Sequence, residues 1–185
     1  MRVREGDAVE CLGPLGNSFV IPQGSGRDAL IIAGGIGSAA LFMIAEQLKS
    51  AGNNVYLFFG AGTKSALIGL EDFQEIGIET TISTDDGSAG FHGRITEAVE
   101  QHLKKVSDPD TVIYTCGPYP MMRRVSEIAE SYRLTAYVSL ETRMACGFGV
   151  CVGCVHPIKT GPSMGFTYKR VCVEGPVFSS NEVVW

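Results

Sequence analysis

The chain has 185 residues, a formal net charge of −5 at pH 7 and a hydrophobic fraction of 45%. This length holds one ordinary domain with a small appendage. The mild negative charge argues against nucleic acid as a partner, and no apolar run approaches the length of a membrane span. Because no secretory signal opens the sequence, we expect a cytoplasmic protein whose six cysteines stay reduced.

Residues 1–25 do not have the pattern of a domain start. Residues 7–12 are predicted to form one strand, and turn residues follow it. A single strand cannot bury itself. We therefore expect that most of its sheet is missing from the chain or that the strand docks elsewhere. An edge hairpin of the following domain is the simplest alternative.

Residues 26–143 alternate between strand and helix patterns. The apolar run at residues 29–33 is typical of a strand buried on both faces of a parallel sheet. Four more strands are predicted at residues 54–59, 78–84, 111–115 and 135–140. Helices are predicted between them, the second at about residues 64–76. Right-handed crossovers then predict an α/β fold with a doubly wound five-stranded parallel sheet. Ligands should lie at the carboxyl ends of its strands.

The turn after the first strand is the first candidate for nucleotide binding. Residues 35–40 fit the pattern G-x-G-x-x-A between a strand and a helix. Glycines let the backbone approach a pyrophosphate, and the helix N-terminus supplies N–H groups. The acid that usually binds ribose at the end of the second strand is absent, because residues 59–62 read Phe-Gly-Ala-Gly. The pattern therefore differs from the ordinary dehydrogenase fingerprint.

Two further strand ends are candidates for nucleotide binding. Residues 84–88 follow the third strand, and the alternative to a binding role for them is a plain turn. Cys116, Gly117 and Pro118 follow the fourth strand. Pro118 is suited to the first turn of a helix, and Gly117 leaves space for a flat ring. A buried, inert thiol is the alternative for Cys116.

Four cysteines in residues 144–185 have the spacing of an iron–sulfur site. Cys146, Cys151 and Cys154 are spaced C-x4-C-x2-C, and Cys172 follows after seventeen residues. This is the plant-type arrangement of thiolates that holds a [2Fe–2S] cluster. A structural zinc site is the nearest alternative, although zinc loops more often pair two short cysteine knuckles. Disulfides are the third possibility. After the cysteine loop, two short strands are predicted at residues 155–159 and 168–173, joined by a turn rich in glycine and proline, so we expect a small C-terminal β-hairpin domain.

These features together resemble a known family, the ferredoxin reductase-like proteins. The sequence is similar above all to the electron-transfer subunits of class 1B dihydroorotate dehydrogenase. The shared motifs are residues 34–37, 84–87, 116–118, the four-cysteine tail and residues 171–178. The resemblance implies an N-terminal β-barrel for FAD, a middle domain for NAD(H) and a C-terminal [2Fe–2S] domain. The barrel is missing here apart from its last strand, so the expected domains are the remnant 1–25, the NAD-binding domain 26–143 and the cluster domain 144–185.

The resemblance also assigns residues. The nucleotide contacts that it implies are Gly34, Gly35, Gly37, Thr84, Asp85 and Gly117. Cys116 would lie beside the nicotinamide as the candidate catalytic residue. The cluster ligands that it implies are Cys146, Cys151, Cys154 and Cys172. The implied activity is transfer of electrons from NADH through FAD and the cluster to the FMN-containing catalytic subunit, in a heterotetramer of pyrimidine biosynthesis.

Other functions remain open at this point. The chain could be the flavin and iron–sulfur subunit of a sulfide dehydrogenase, a hydrogenase or an NADH-dependent ferredoxin:NADP reductase. These enzymes differ in their partner more than in their sheet. A non-enzymatic alternative is a zinc-stabilised nucleotide-binding module, which would be colourless.

Overall fold

The computed structural model describes residues 3–106, 108–161 and 165–185. Within these residues, the strands are β1 (Asp28–Gly34), β2 (Asn54–Ala61), β3 (Glu79–Thr84), β4 (Phe91–His92), β5 (Val112–Cys116), β6 (Thr135–Ser139), β7 (Val155–Lys159), β8 (Phe166–Arg170) and β9 (Val177–Ser179). The α-helices are α1 (Ser38–Ser50), α2 (Leu70–Glu75), α3 (Ile95–Lys105) and α4 (Tyr119–Tyr132). None of the described helices is both long and apolar enough to cross a bilayer.

The main sheet contains the five predicted parallel strands and two that the sequence did not predict. Its order is β4-β3-β2-β1-β5-β6-β9. Strands β1, β2, β3, β5 and β6 pair in parallel, as predicted. At one edge β9 pairs antiparallel with β6. At the other edge the two-residue β4 pairs in parallel with β3. Both added strands are too short to produce a periodic pattern in the sequence.

The central strand β1 explains the continuous apolar run. Ile31 packs with α1 and α2 on one face, whereas Leu30 and Ile32 pack with α3 and α4 on the other. All three side chains are fully buried. Strands β2 and β5 flank β1, and the chain proceeds outward from β1 in opposite directions. The carboxyl edge between β1 and β5 is therefore the switch point where ligands bind in such sheets.

Two predicted elements differ in the structure. Residues 7–12 form no strand, so that prediction was wrong. They are exposed, and no described strand lies beside them to complete a ladder. The helix predicted at residues 64–76 is divided into a 3-10 turn (Lys64–Ala66) and α2. Gly69 separates the two because it adopts a left-handed φ of +79°.

The cysteine segment forms a small hairpin beside the sheet. Strands β7 and β8 pair antiparallel, which confirms a predicted two-stranded element. The second strand was predicted at residues 168–173 but ends at Arg170, since the N–H groups of Val173 and Glu174 both donate to the Arg170 carbonyl. This turn carries Cys172. A third apolar cluster joins the hairpin to β6 and β9.

Candidate functional site

A cavity of about 380 Å³ opens at the carboxyl edge of the main sheet. It lies at the switch point and collects residues from four turns. Its lining includes Gly34, Gly35, Gly60, Gly62, Asp85, Arg94, Pro118 and Arg124. Of the predicted nucleotide contacts, Gly34, Gly35 and Asp85 line this cavity.

Three glycines of the lining differ in their surroundings, because Gly34 and Gly60 are packed closely by neighbouring side chains and Gly35 faces open space. A Cβ atom at Gly34 would lie 2.5 Å from Pro118 Cδ, and one at Gly60 would lie 2.8 Å from Ile95 Cβ. Gly35 has a φ of +53°, and a Cβ atom there would meet nothing within 4 Å, so this position faces open space. Gly37 acts differently. It packs against the end of β5, where a Cβ would lie 2.4 Å from the Cys116 carbonyl oxygen.

Polar groups in the cavity suit a ligand that carries phosphates and hydroxyls. The Ser83 hydroxyl is buried and has no hydrogen-bond partner among the described residues. Arg94 and Arg124 supply positive charge, and Arg124 also pairs with Glu100 and Glu127. The sequence did not reveal Ser83, Arg94 and Arg124, because they come from the end of β3, from the residue before α3 and from the second turn of α4. Only the packing of those helices against the sheet brings them together.

The turn after β3 divides into a structural part and an exposed part. Thr84 is fully buried, and its hydroxyl donates to the Ala89 carbonyl at 2.9 Å. It also accepts the Ala89 N–H at 3.0 Å. Asp86 accepts the Ser88 hydroxyl and N–H, and these bonds lower the pKa of the Asp86 carboxyl. Asp85 forms the remaining acidic group, and it lines the cavity.

Cys116 is not among the residues that line the cavity, and its side chain packs with the α1 and α2 face of the sheet. Its side chain is fully buried, and its sulfur lies 3.9 Å from Glu141 Oε1. Burial, followed by the nearby Glu141 charge, raises the pKa of the Cys116 thiol to about 11. The thiol is therefore neutral at physiological pH. Gly117 stands against Gly34, where a Cβ would lie 2.8 Å from the Gly34 Cα.

The four cysteines of the tail stand in two pairs. The sulfur atoms of Cys154 and Cys172 lie 3.3 Å apart, and both residues are buried. The N–H of Cys151 points at the Cys146 sulfur at 3.4 Å. In residues 3–106, 108–161 and 165–185, no three histidine, cysteine or acidic side chains stand together as ligands of a single ion.

This arrangement fits a [2Fe–2S] cluster, which has two irons and four cysteine ligands and so requires pairs of sulfurs. Backbone N–H groups of Cys151 and Phe148 lower the pKa of Cys146 to about 6. The N–H of Cys172 lowers the pKa of Cys154, whereas the Cys154 sulfur raises that of Cys172. N–H groups aimed at sulfur stabilise thiolates, the form that binds iron.

A glycine brings the cysteine loop against the Cys172 turn. Gly149 has a left-handed φ of +92°, and a Cβ there would lie 2.5 Å from Val173 Cγ2. A side chain at this position would separate the loop from the turn. The close approach therefore depends on glycine.

Two family models match the chain. Residues 141–184 match the iron–sulfur cluster binding domain of dihydroorotate dehydrogenase B, and residues 31–127 match the oxidoreductase NAD-binding domain.

Relatives with curated names support the same assignment. The electron transfer subunit of dihydroorotate dehydrogenase B (NAD(+)) from Caldanaerobacter subterraneus subsp. tengcongensis is 38% identical over 184 residues. The subunit of the same name from Bacillus caldolyticus is 42% identical over 180 residues. The alignments cover 100% and 97% of this chain but 69% and 66% of those proteins. The chain thus spans about two thirds of their length.

A solved structure is also similar over nearly the whole chain. It is a chain of the NADH-dependent reduced ferredoxin–NADP oxidoreductase, with a TM-score of 0.82 and 35% sequence identity. The match covers 98% of this chain and 62% of that one.

Proposed function

Because the chain belongs to the family of dihydroorotate dehydrogenase B (NAD(+)) electron transfer subunits, we propose that it passes electrons from NADH to a catalytic partner subunit. One observation carries the proposal: a nucleotide-sized cavity and two cysteine pairs flank the same sheet. The cofactors of this oxidoreductase family are NAD(H), FAD and a [2Fe–2S] cluster. When bound, the flavin would accept the hydride that NADH donates and would pass its two electrons singly to the cluster, which nicotinamide alone cannot do.

The cavity holds the nicotinamide nucleotide in this proposal. Gly34 and Gly35 let the pyrophosphate approach the backbone, and Arg124 supplies positive charge beside it. Asp85 accepts hydrogen bonds from the ribose hydroxyls and would repel a 2′-phosphate, which favours NADH over NADPH. The unpartnered Ser83 hydroxyl supports a polar ligand here, since a buried hydroxyl normally finds a partner.

The nicotinamide ring lies over Gly117 in this proposal. Gly37 stands against the end of β5, with no room for a Cβ atom. Thr84 holds the turn that presents Asp85. Cys116, which precedes Gly117 in the chain, is a buried and neutral thiol in this proposal, consistent with its burial and raised pKa. Transfer of a hydride from NADH requires no general base from the protein.

The cysteine pairs hold the cluster. Cys146 and Cys151 would hold one iron, and Cys154 and Cys172 would hold the other. The N–H groups aimed at Cys146, Cys151 and Cys154 support this assignment, because such bonds stabilise bound thiolates. FAD is held, in this proposal, by the N-terminal barrel that the resemblance implies.

The exposed side of the cysteine loop is suited to a partner. Phe148, Val150 and Val152 are all largely exposed, and they alternate with the cluster glycines and Cys151. Apolar side chains grouped on a surface mark sites of protein interaction. The proposed partner is the FMN-containing dihydroorotate dehydrogenase subunit, in a cytoplasmic heterotetramer of pyrimidine biosynthesis.

The first experiment is an anaerobic visible spectrum with metal and sulfide analysis of the purified chain. Two irons and two sulfides per chain, with absorption that bleaches on reduction, are the expected result. One zinc without visible absorption would overturn the proposal in favour of a zinc-stabilised nucleotide-binding module. Reduction of the catalytic subunit's flavin by NADH, measured with a protein that includes the N-terminal barrel, then tests the partner.

A second candidate is an NADH-dependent ferredoxin–NADP reductase subunit. The observation that favours it is the similarity to that enzyme's solved structure, with a TM-score of 0.82. The two candidates share the NADH site and the cluster and differ in the electron acceptor. If NADP+ is reduced in the presence of NADH and reduced ferredoxin, and the dihydroorotate dehydrogenase subunit stays oxidised, the second candidate replaces the first.

A further inference from the structure

Asn17 connects two parts of the chain that are far apart in sequence. Its side-chain amide donates to the carbonyl oxygens of Glu174 at 3.1 Å and Val177 at 2.8 Å. Its side-chain oxygen accepts the Val177 N–H at 2.9 Å, and its own N–H donates to the Gly175 carbonyl at 2.6 Å. Four hydrogen bonds from one residue thus hold the segment 174–177, which begins two residues after Cys172.

This segment has no room to shift. A Cβ at Gly16 would lie 2.3 Å from the Gly175 carbonyl oxygen, so the two backbones are in direct contact. A Cβ at Gly175 would lie 2.6 Å from the ring of Phe178. On its other side, the N–H of Leu140 at the end of β6 donates to the Pro176 carbonyl at 2.9 Å.

The contacts continue from this segment to the cysteine loop. The Glu174 carboxylate accepts the Arg170 N–H at 2.6 Å and the Arg170 Nε at 3.3 Å. The Arg170 guanidinium in turn donates to the Gly149 carbonyl at 3.1 Å, between Cys146 and Cys151. Asn17, Glu174 and Arg170 therefore form a continuous network around the Cys172 turn.

The residues next to Asn17 are fastened to the main sheet. Phe19 packs edge-on against the Tyr114 ring, with centroids 5.5 Å apart. The Tyr114 hydroxyl donates to the Val20 carbonyl at 2.8 Å. Tyr114 is itself fully buried in β5. Asn17 consequently holds the Cys172 turn against a support that belongs to the core.

We propose that Asn17 is a positioning residue for Cys172, and through Arg170 for the cysteine loop, that keeps the two cysteine pairs in register for a [2Fe–2S] cluster. The inference rests on the proposed function. It adds that the segment before the sheet helps to shape the metal site. No local sequence pattern links position 17 with position 172.

The test compares Asn17→Ala with Asn54→Ala in the full chain, purified anaerobically with its cluster. Asn54 is a matched control, because its exposed amide also makes hydrogen bonds to residues distant in sequence. Its partners, the Gly26 carbonyl and the Asp28 carboxylate, lie outside the cysteine segment. The measurements are the rate at which a ferrous chelator removes iron and the electron paramagnetic resonance spectrum of the reduced cluster.

Asn17→Ala is expected to lose iron about tenfold faster than the unmodified chain, the range found for residues that orient metal ligands. Its resonance signal should also shift or broaden. Asn54→Ala should match the unmodified chain in both measurements. Asn17→Asp retains the acceptor for the Val177 N–H but not the two donated bonds, and an intermediate rate is expected. If Asn17→Ala does not fold, Asn17→Asp is compared with Asn54→Ala in the same two measurements.

The two proposals fail differently. If the unmodified chain holds its iron and both Asn17 variants release it at the unmodified rate with an unchanged signal, only the positioning role is overturned. If the unmodified chain takes up no iron, the proposed function fails and the positioning role falls with it. If Asn54→Ala releases iron as fast as Asn17→Ala, the effect is general destabilisation and the positioning role is again overturned.

Discussion

The parallel sheet and the cysteine segment are built by different physical means. In the sheet, β1 buries Leu30, Ile31 and Ile32 completely on two faces. In the cysteine loop, Val150 is 73% exposed, and the positions of the thiols depend on backbone hydrogen bonds. Burial of apolar surface forms the sheet and the cavity at its carboxyl edge without help from a ligand. The loop has little apolar surface of its own, so metal binding should contribute much of its stability.

Removing one ligand should have the largest effect and should separate the two regions. Cys172→Ala is expected to abolish the bound cluster, because one iron then lacks a thiolate. NADH binding should persist, since the sheet keeps its core. Iron analysis and a nucleotide titration check both outcomes. Cys11→Ala is the control, because Cys11 is an exposed thiol outside the segment. Retention of the full iron content by Cys172→Ala would contradict the ligand assignment.

A core substitution should affect the sheet strongly, whereas its counterpart in the loop should have little effect. Ile31→Ala is expected to lower the free energy of unfolding by about 2–5 kcal/mol, as cavity-forming substitutions do. Val150→Ala should change it by less than about 0.5 kcal/mol, because the side chain is mostly in water. Urea unfolding measures both values. Equal costs for the two variants would refute the contrast between the regions.

The Asp85 charge in the cavity should affect which nicotinamide nucleotide the protein binds. Asp85→Asn is expected to reduce the preference for NADH over NADPH by roughly tenfold, because it removes the carboxylate that repels a 2′-phosphate. Asp86→Asn is the matched control, since the Ser88 hydroxyl and N–H already occupy its carboxylate. Binding constants for the two nucleotides test the difference. If both variants shift the preference equally, Asp85 has no special role.

The thiol inside the sheet should have no pH-dependent effect near neutral pH and an effect only above pH 9. Because the pKa of Cys116 is raised from 9.0 to about 11, its contribution to stability is fully present below pH 9 and declines as the pH rises to 11. Cys116→Ala should therefore lose less stability than the unmodified chain over this interval. Thermal unfolding at a series of pH values measures the difference. Parallel curves would indicate that the thiol is not shielded from water.

The sequence was most informative where one local pattern determines one element. The run at residues 29–33 predicted a buried central strand, and β1 is that strand. The short strands β4 and β9 gave no such signal, because strands of two or three residues have no measurable period. The strand predicted at residues 7–12 was wrong, since a suitable pattern forms no ladder without a neighbouring strand.

The same distinction applies to the candidate sites. Gly34, Gly35 and Asp85 could be named from motifs at strand ends, and they line the cavity. Ser83, Arg94 and Arg124 could not, because they meet only after α3 and α4 pack on the sheet. Thr84 follows the same motif, but its side chain holds a turn. A motif identifies the turn, whereas the side-chain packing decides which of its members faces a ligand.

By itself, the sequence determined the alternation of strands and helices and the spacing of the four cysteines, since both depend on local periodicity and loop length. Only the tertiary structure decided that the Cys116 side chain packs with the α1 and α2 face, away from the cavity lining, and that Asn17 holds the Cys172 turn. The first depends on which way a strand residue faces once the sheet is covered. The second joins residues more than 150 positions apart, and contacts at that separation leave no pattern in a single sequence.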